Sequence, residues 1–226
     1  PQICSYRNKK NMLITIRREA EQDYFTAENC CRNAFWNVYT QGCYEHFLIH
    51  SMRTHKDFIP ELSFVLEYGK KIIGGIFYTR SNITRSDSPP VPAITFAPVF
   101  IEPKFQRQGF GKKLILHSIQ KARQLGYSAI LILGCPKKYA PYGFCGAKKY
   151  RISMPDGLYY QSLLALPLQE NALSDVSGYV QFSNAVEINN QHAEIFDENF
   201  PSKEKRILPS QKEFEKACSL LDDAEY

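Results

Sequence analysis

The stretch that most constrains this chain is residues 94–114, Ile94-Thr-Phe-Ala-Pro-Val-Phe-Ile-Glu-Pro-Lys-Phe-Gln-Arg-Gln-Gly-Phe-Gly-Lys-Lys-Leu114. A largely apolar strand, residues 93–101, is broken by Pro98. Proline cannot donate to a ladder, so a bulge or a splayed edge is expected there. The strand enters a loop holding Gly109 and Gly111, and that loop opens an amphipathic helix over residues 109–125. Leu114, Ile115, Ile119 and Ala122 form its inner face, while Lys112, Lys113, Gln120, Lys121 and Arg123 lie outside. Amides at a helix start have no intrahelical partner, and the dipole end there is positive. Glycines let a bulky anion approach those amides, and Arg107, Lys112 and Lys113 add full charges nearby. The arrangement is a phosphate cradle.

Spacing decides which cradle. A dinucleotide fingerprint needs a third glycine three residues after Gly111, where Leu114 stands. A Walker A loop needs a glycine where Gln106 stands and Ser or Thr where Lys113 stands. The remaining pattern, Gln106-x-x-Gly109-x-Gly111, resembles the acyl-CoA-binding signature Q/R-x-x-G-x-G/A of the GNAT acetyltransferase superfamily. Three flanking features strengthen the resemblance: Pro98 where that family has its β-bulge, Gly134 closing the next strand, and Tyr139-Ala-Pro-Tyr-Gly143-Phe144 resembling its Y-x-x-x-G-F. It is nearest to a bacterial branch of predicted acetyltransferases with Gly-Asp-Pro before that helix, but Cys135 replaces the Asp. Cys135 is read as a small residue between splayed strands rather than as a nucleophile.

The resemblance implies an α/β (α+β) GNAT fold: a mixed, mostly antiparallel sheet with splayed fourth and fifth strands, flanked by helices. It implies acetyl-CoA as cosubstrate, no metal, and an amine acceptor, a small molecule ahead of a protein. Acetyl-CoA would contact Val99, Phe100, Ile101, Gln106, Arg107, Gln108, Gly109, Phe110, Gly111 and Lys112. The loop amides would hold the pyrophosphate, and the main chain of Phe100 and Ile101 would pair with pantetheine. The Val99 N–H would polarise the thioester carbonyl. Tyr139 would protonate the leaving thiolate, with Tyr142 as the fallback. A phenol near 10 giving its proton to a thiolate near 8.5 runs uphill by about 2 kcal/mol, which is tolerable. Glu67 and Glu102 are candidate bases, and neither is assigned.

The remaining chain reads as strands at residues 13–17, 62–68 and 72–79, with a hairpin through Tyr68-Gly69-Lys70. Helices are expected over residues 21–38 and 44–53, a Ser/Asp/Pro loop over 81–92, and strands at 129–133 and 158–166. A turn or two of helix fits residues 136–142. The expected organisation is an N-terminal extension (1–12), an acetyltransferase domain (13–166) and a C-terminal extension (167–226) packed on it. Within the last, residues 178–186 alternate weakly, and Ser210-x-x-Glu213 reads as a capping box ahead of an apolar Phe214–Leu221 face that needs burial.

Composition sets outer limits. Among 226 residues, seven scattered cysteines without C-x-x-C spacing suggest reduced thiols rather than a disulfide framework or a zinc site. No apolar run nears the roughly 18 residues that span a bilayer. The polar, basic start lacks a secretory core, and opening on Pro suggests a removed initiator Met. A cytoplasmic protein, monomer or homodimer, is expected. A net charge of +5 is spread without a basic arm, so neither nucleic acid nor a membrane is an expected partner. His46 and His50, four apart, lack a third metal ligand and are read with Tyr44 and Glu45 as pocket or surface residues. A non-catalytic CoA sensor, or an acyltransferase with another donor or acceptor, are the alternative readings.

Overall fold

A computed structural model describes residues 4–7 and 13–225. The reading of residues 1–11 as a start without a leader lies outside them, apart from residues 4–7. Those four form a strand, β1 (Cys4–Arg7), antiparallel to β2 (Leu13–Arg18) with Cys4 opposite Ile16. Part of the expected extension thus continues the sheet.

β2 pairs with β3 (Phe64–Tyr68), and β3 with β4 (Lys71–Thr84), all antiparallel. The β3–β4 hairpin turns through Gly69 and Lys70, both with positive φ (56° and 72°), the geometry of a tight type I′ turn. β4 is far longer than the expected 72–79, because two partners share one side of it. β3 covers its first half, and β10 (Gly178–Phe182) covers Ser81–Thr84 from the C-terminal part of the chain. Its other side pairs with β5 (Val91–Ile101) as far as Ile83–Val91, so the expected loop shrinks to residues 85–90. The alternation of exposed Arg80 and Asn82 with buried Ser81 and Ile83 is the strand signal that the polar composition hid.

β5 runs parallel to β6 (Ala129–Leu133), which pairs antiparallel with β9 (Leu163–Pro167). The expected strand over 158–166 therefore starts only at Leu163. Two further strands are minimal: β7 (Cys145–Gly146) extends the β9 edge, and β8 (Ile152–Ser153) pairs with β10. The sheet is mixed and mostly antiparallel, with helices on both faces.

One face carries α3 (Phe110–Gln124). Its buried residues Phe110, Leu114, Ile115, Ser118, Ile119 and Ala122 recur at helical spacing and pack on Ile14, Ile16, Leu66, Tyr78, Ile94 and Ile130. Each buried Leu or Ile is worth about 1.5–3 kcal/mol against exposure. The fully buried Tyr78 hydroxyl meets Ser118 Oγ at 2.8 Å, which satisfies a group otherwise costly to bury.

The opposite face carries α1 (Tyr24–Phe35) and α2 (Glu45–Met52), whose Ala27, Cys31, Ile49 and Met52 pack on Val65, Phe77 and Phe100. α1 stops short of the expected Val38 because Asn37 turns left-handed (φ 61°). Its side chain accepts from Gly42 N–H (2.9 Å) and Arg206 N–H (3.0 Å). The C-terminal segment is therefore bound to this face. α5 (Asn190–Asp197) brings Asp197 into a two-pronged pair with buried Arg32, at 2.5 and 2.9 Å. Trp36 Nε1 donates to Glu204 O (3.0 Å).

The last helix, α6 (Pro209–Ser219), corrects two expectations. Leu208, not Ser210, is its N-cap, and the Ser210 hydroxyl donates to Val38 O (2.9 Å), so no capping box forms. None of its residues is buried, so the Phe214–Leu221 face stays largely exposed, with Phe214 touching the Tyr39 ring.

Candidate active site

The site grows from one defect in the sheet. β5 and β6 register only at Ile94–Ile130, where Thr95 Oγ1 donates to Leu131 O (2.9 Å) and pins that end shut. Farther along, β5 fits two residues, Ala97 and Pro98, opposite the single Phe77, between the pairs Tyr78–Phe96 and Ile76–Val99. That is the bulge expected at Pro98. β6 meanwhile stays paired with β9 along its whole length. The two strands therefore part beyond Ile94 and leave a gap flanked by residues 97–101 and 131–134.

Main-chain direction along β5 follows from its ladder with β4. Glu102 N–H donates to Ile73 O (2.7 Å), and the Phe100 carbonyl also points at β4, only 2.6 Å from where a Gly74 Cβ would sit. Successive residues alternate, so Val99 and Ile101 turn their N–H and C=O toward the gap. Phe100 is turned away: its main chain faces β4 and its ring packs among α1, α2 and Phe77. The expected pairing of Phe100 with pantetheine is thereby corrected, and Val99 and Ile101 hold the available edge.

The glycine loop lies at the end of β5. Gln106 Nε2 donates to Ile101 O (2.9 Å), tying the loop back to the strand and using one lone pair of that carbonyl. Arg107 (φ 60°) and Gly109 (φ 83°) are left-handed, and Gly109 is the N-cap of α3. The first α3 bond runs from Lys113 N–H to Gly109 O (3.2 Å), leaving the preceding amides without intrahelical partners. A Cβ on Gly109 would meet nothing within 4 Å, and one on Gly111 only Ile101 Cγ1 at 3.7 Å. The cradle is open space with free donors on its wall. Arg107, Gln108 and Lys112 are exposed beside it. The Phe110 ring is instead a core anchor, edge-on to Tyr68 and Phe105, so only its amide faces the cradle side.

Across the gap, β6 ends at Leu133, Gly134 follows, and α4 (Pro136–Tyr139) begins. The Tyr139 ring folds back over Gly134, where a Cβ would lie 2.5 Å from Tyr139 Cε2. Only glycine at 134 admits that ring position. Tyr139 packs on Phe96, Tyr142 and Phe144, and its hydroxyl has no hydrogen-bond partner among the described residues. Burial pushes its phenol above the ordinary value of 10.

The candidate bases are engaged. Glu67 is gripped by Arg17 (2.5 Å), which also holds Asp23, and Glu102 by Lys71 (3.1 Å) with Lys104 at 3.9 Å. Cys135 is exposed at the α4 start. His46 is fully buried, with Nδ1 3.5 Å from Cys43 Sγ and Nε2 2.9 Å from Asp197 Oδ1, although the latter pair is not aligned for a hydrogen bond. Burial holds its pKa down at about 4, against the pull of Asp197. His50 is exposed and pairs with Glu28. The two histidines thus point into different surroundings, and the described residues hold no metal-binding cluster.

Sequence reasoning missed Tyr39 and Phe214. Burial pushes the Tyr39 phenol above its ordinary value, with the nearby Glu45 carboxylate adding to it, and its ring lies against Phe214. No local motif marks Tyr39, which follows the end of α1 in a turn.

Comparison with known proteins sets this geometry in context. The profile of the Acetyltransferase (GNAT) family matches residues 23–140. The uncharacterized N-acetyltransferase YjhQ of Escherichia coli K12 is 30% identical over 111 residues, covering 48% of this chain and 61% of that protein. The uncharacterized N-acetyltransferase YhbS of the same strain is 22% identical over 112 residues, covering 50% and 65%. The chain thus spans about three fifths of the length of these curated relatives. In structure it is similar to E. coli YhbS in complex with CoA (TM-score 0.66, 20% identity, 82% of this chain and 93% of that one). It is also similar to a GNAT acetyltransferase from Brucella melitensis in complex with acetyl-CoA (TM-score 0.60, 22% identity, 77% and 98%). At these identities the likeness is one of fold.

Proposed function

This chain belongs to the GNAT acetyltransferase family, and on that premise we propose that it transfers the acetyl group of acetyl-CoA to a primary amine by direct attack. The observation that carries the reading is the β5–β6 gap, beside which three things lie: the strand edge at Val99, the uncapped amides of α3, and the Tyr139 ring over Gly134. The two structural neighbours hold CoA and acetyl-CoA, and this chain's cradle suits such a group. Gly109 offers the room and the left-handed turn that a pyrophosphate-binding helix start needs.

In this reading the amides of residues 109–112 bind the pyrophosphate, with Arg107 and Lys112 supplying charge. Ile101 takes the strand-like pairing with pantetheine, and the Val99 N–H donates to the thioester oxygen as negative charge develops there. The neutral amine nitrogen attacks the carbonyl carbon, and a C–N bond forms as the C–S bond breaks. The nitrogen loses a proton to solvent or a base, and Tyr139 Oη gives one to the departing sulfur. Burial raises the Tyr139 phenol, yet the same dry surroundings raise a thiol as well, so the transfer stays within reach.

Glu67 and Glu102 are unsuited as the base because each is held by a cation. An alkylammonium near 10.4 costs about 4–5 kcal/mol to neutralise at pH 7, whereas an α-amino group near 7.8 costs about 1 kcal/mol. Acetyl-CoA titrated into the protein by calorimetry tests the proposal. Micromolar binding that Gly109→Glu abolishes supports it, and no binding to folded protein sinks it.

A further inference from the structure

The catalytic gap has two sides, and the proposed donor machinery uses only the α3 side. On the other, at the end of α1 and within electrostatic reach of Tyr139, the structure gathers residues from three separate parts of the chain. Tyr39 follows α1, Glu45 opens α2, and Phe214 comes from α6. The Tyr39 ring stacks on Phe214 at 4.2 Å and touches Phe35 at 5.7 Å. Glu45 is half-buried and accepts the Tyr44 N–H (3.1 Å), yet no cation lies within ion-pair distance of it among the described residues. The buried carboxylates on and against these helices are paired by contrast: Glu28 with Arg53 and His50, Asp197 with Arg32. A half-buried carboxylate without a cation is costly, so a positive ligand there is stabilising.

α6 completes the enclosure. It is held at its two ends and lacks any buried residue between them. At the start, Ser210 donates to Val38 O and Gln211 Nε2 to Asn37 O (3.1 Å). At the far end, Gln161 N–H donates to Leu220 O, Asp222 N–H to Tyr159 O (2.7 Å), and Lys148 Nζ to Asp222 O. The next residue, Ser162, accepts from Gly134 N–H (2.8 Å), at the rim of the gap. The segment therefore crosses from the α1 end to the β6 end as a strap, with Phe214 and Cys218 beside Tyr39.

We propose that Tyr39, Glu45 and Phe214 form the acceptor pocket under this strap, and that the pocket takes a compact primary amine with an apolar or aromatic body. The ammonium sits against Glu45, and the body lies against the Tyr39–Phe214 pair. Aromatic faces near a cation add attraction of their own. A strap tethered at both ends excludes a broad folded surface. This inference rests on the acetyl-transfer reading, since it takes Tyr139 as the far wall.

The test is calorimetric titration of CoA-saturated protein with 2-phenylethylamine, against 2-phenylethanol as its uncharged counterpart. Wild-type protein should bind the amine at least about tenfold more tightly than the alcohol. Glu45→Gln should erase that difference, and Phe214→Ala should weaken both ligands about tenfold. Phe214→Leu, which keeps an apolar side chain without the ring, replaces the alanine variant if that does not fold. Acetyl-CoA affinity should stay within about twofold in each variant. Equal binding of amine and alcohol to the wild type, variants within twofold of it, or tighter binding of a peptide N-terminus than of 2-phenylethylamine would overturn the proposal. Failure of acetyl-CoA to bind would instead strike the acetyl-transfer reading, which the amine titration reads separately when repeated without CoA.

Discussion

The two sides of the β5–β6 gap are built in opposite ways. The α3 side comes from one continuous stretch: strand, loop and helix start follow in order, and Gln106 reaches only five residues back to Ile101. On the α1–α2 side Tyr39 meets Phe214 from the C-terminal helix, and the arrangement hangs on pairs such as Arg32–Asp197, 165 residues apart. Local geometry makes a site robust and readable. Long-range assembly makes one adjustable, because the closing piece can be held by few bonds.

The difference can be broken from either side. The largest effect is expected from Gly109→Glu, which puts a strained, negatively charged side chain into the cradle. Acetyl-CoA affinity should fall by about a thousandfold in calorimetry, while 2-phenylethylamine binding is unchanged. Tyr139→Phe removes the proposed acid and leaves the ring packing. Its kcat should fall about a hundredfold with acetyl-CoA affinity intact, and an unchanged kcat would remove Tyr139 from the mechanism.

A third prediction concerns stability, and it belongs to the α1–α2 side alone. His46 is fully buried, and Arg32, Asp197, His50, Cys43 and the rings of Phe196 and Phe200 face it. Its folded pKa of about 4 lies below the ordinary 6.5, so the unfolded chain binds the proton first. The neutral form's contribution is therefore present above pH 6.5 and is lost as pH falls toward 4. Over that window it amounts to about 3 kcal/mol. Burial alone would raise Asp197, but the Arg32 hydrogen bonds and charge outweigh it and hold it below the usual range, which adds loss of the same sign at lower pH. Denaturant unfolding between pH 7 and 4 should show a steep decline in wild type and a shallower one in His46→Gln. Parallel curves would refute it.

The smallest effect sharpens the comparison on the α3 side. Gln106→Ala loses one bond between loop and strand, worth about 1 kcal/mol, so acetyl-CoA affinity should drop only about fivefold. A hundredfold loss would mean that Gln106 meets the ligand itself.

How much of this was legible varies with how local the information is. The open helix start could be read because its parts, Gly109, Gly111 and the amphipathic helix, lie within one short segment and obey helix-start physics. Pro98 signalled its bulge because a missing N–H has only a few possible homes. The strand through Arg80–Thr84 could not be read, because its polar residues gain strand character only from β5 and β10. The Ser210 capping box failed because the helix starts earlier, at Pro209 with Leu208 as N-cap, so Ser210 lies in its first turn and its hydroxyl donates to Val38 O.

The sequence by itself determined the fold class, the family and the open helix start at Gly109, since periodicity, glycine placement and free helix-start amides act over a few residues. Only the tertiary structure decided that the Phe100 main chain faces β4, that Glu67 and Glu102 have cations while Glu45 has none among the described residues, and that α6 lies beside Tyr39, tied at Asn37–Val38 and at Tyr159–Gln161. Each of these depends on which far-off groups arrive as neighbours. Burial, charge pairing and hydrogen-bond competition are set by that meeting in space.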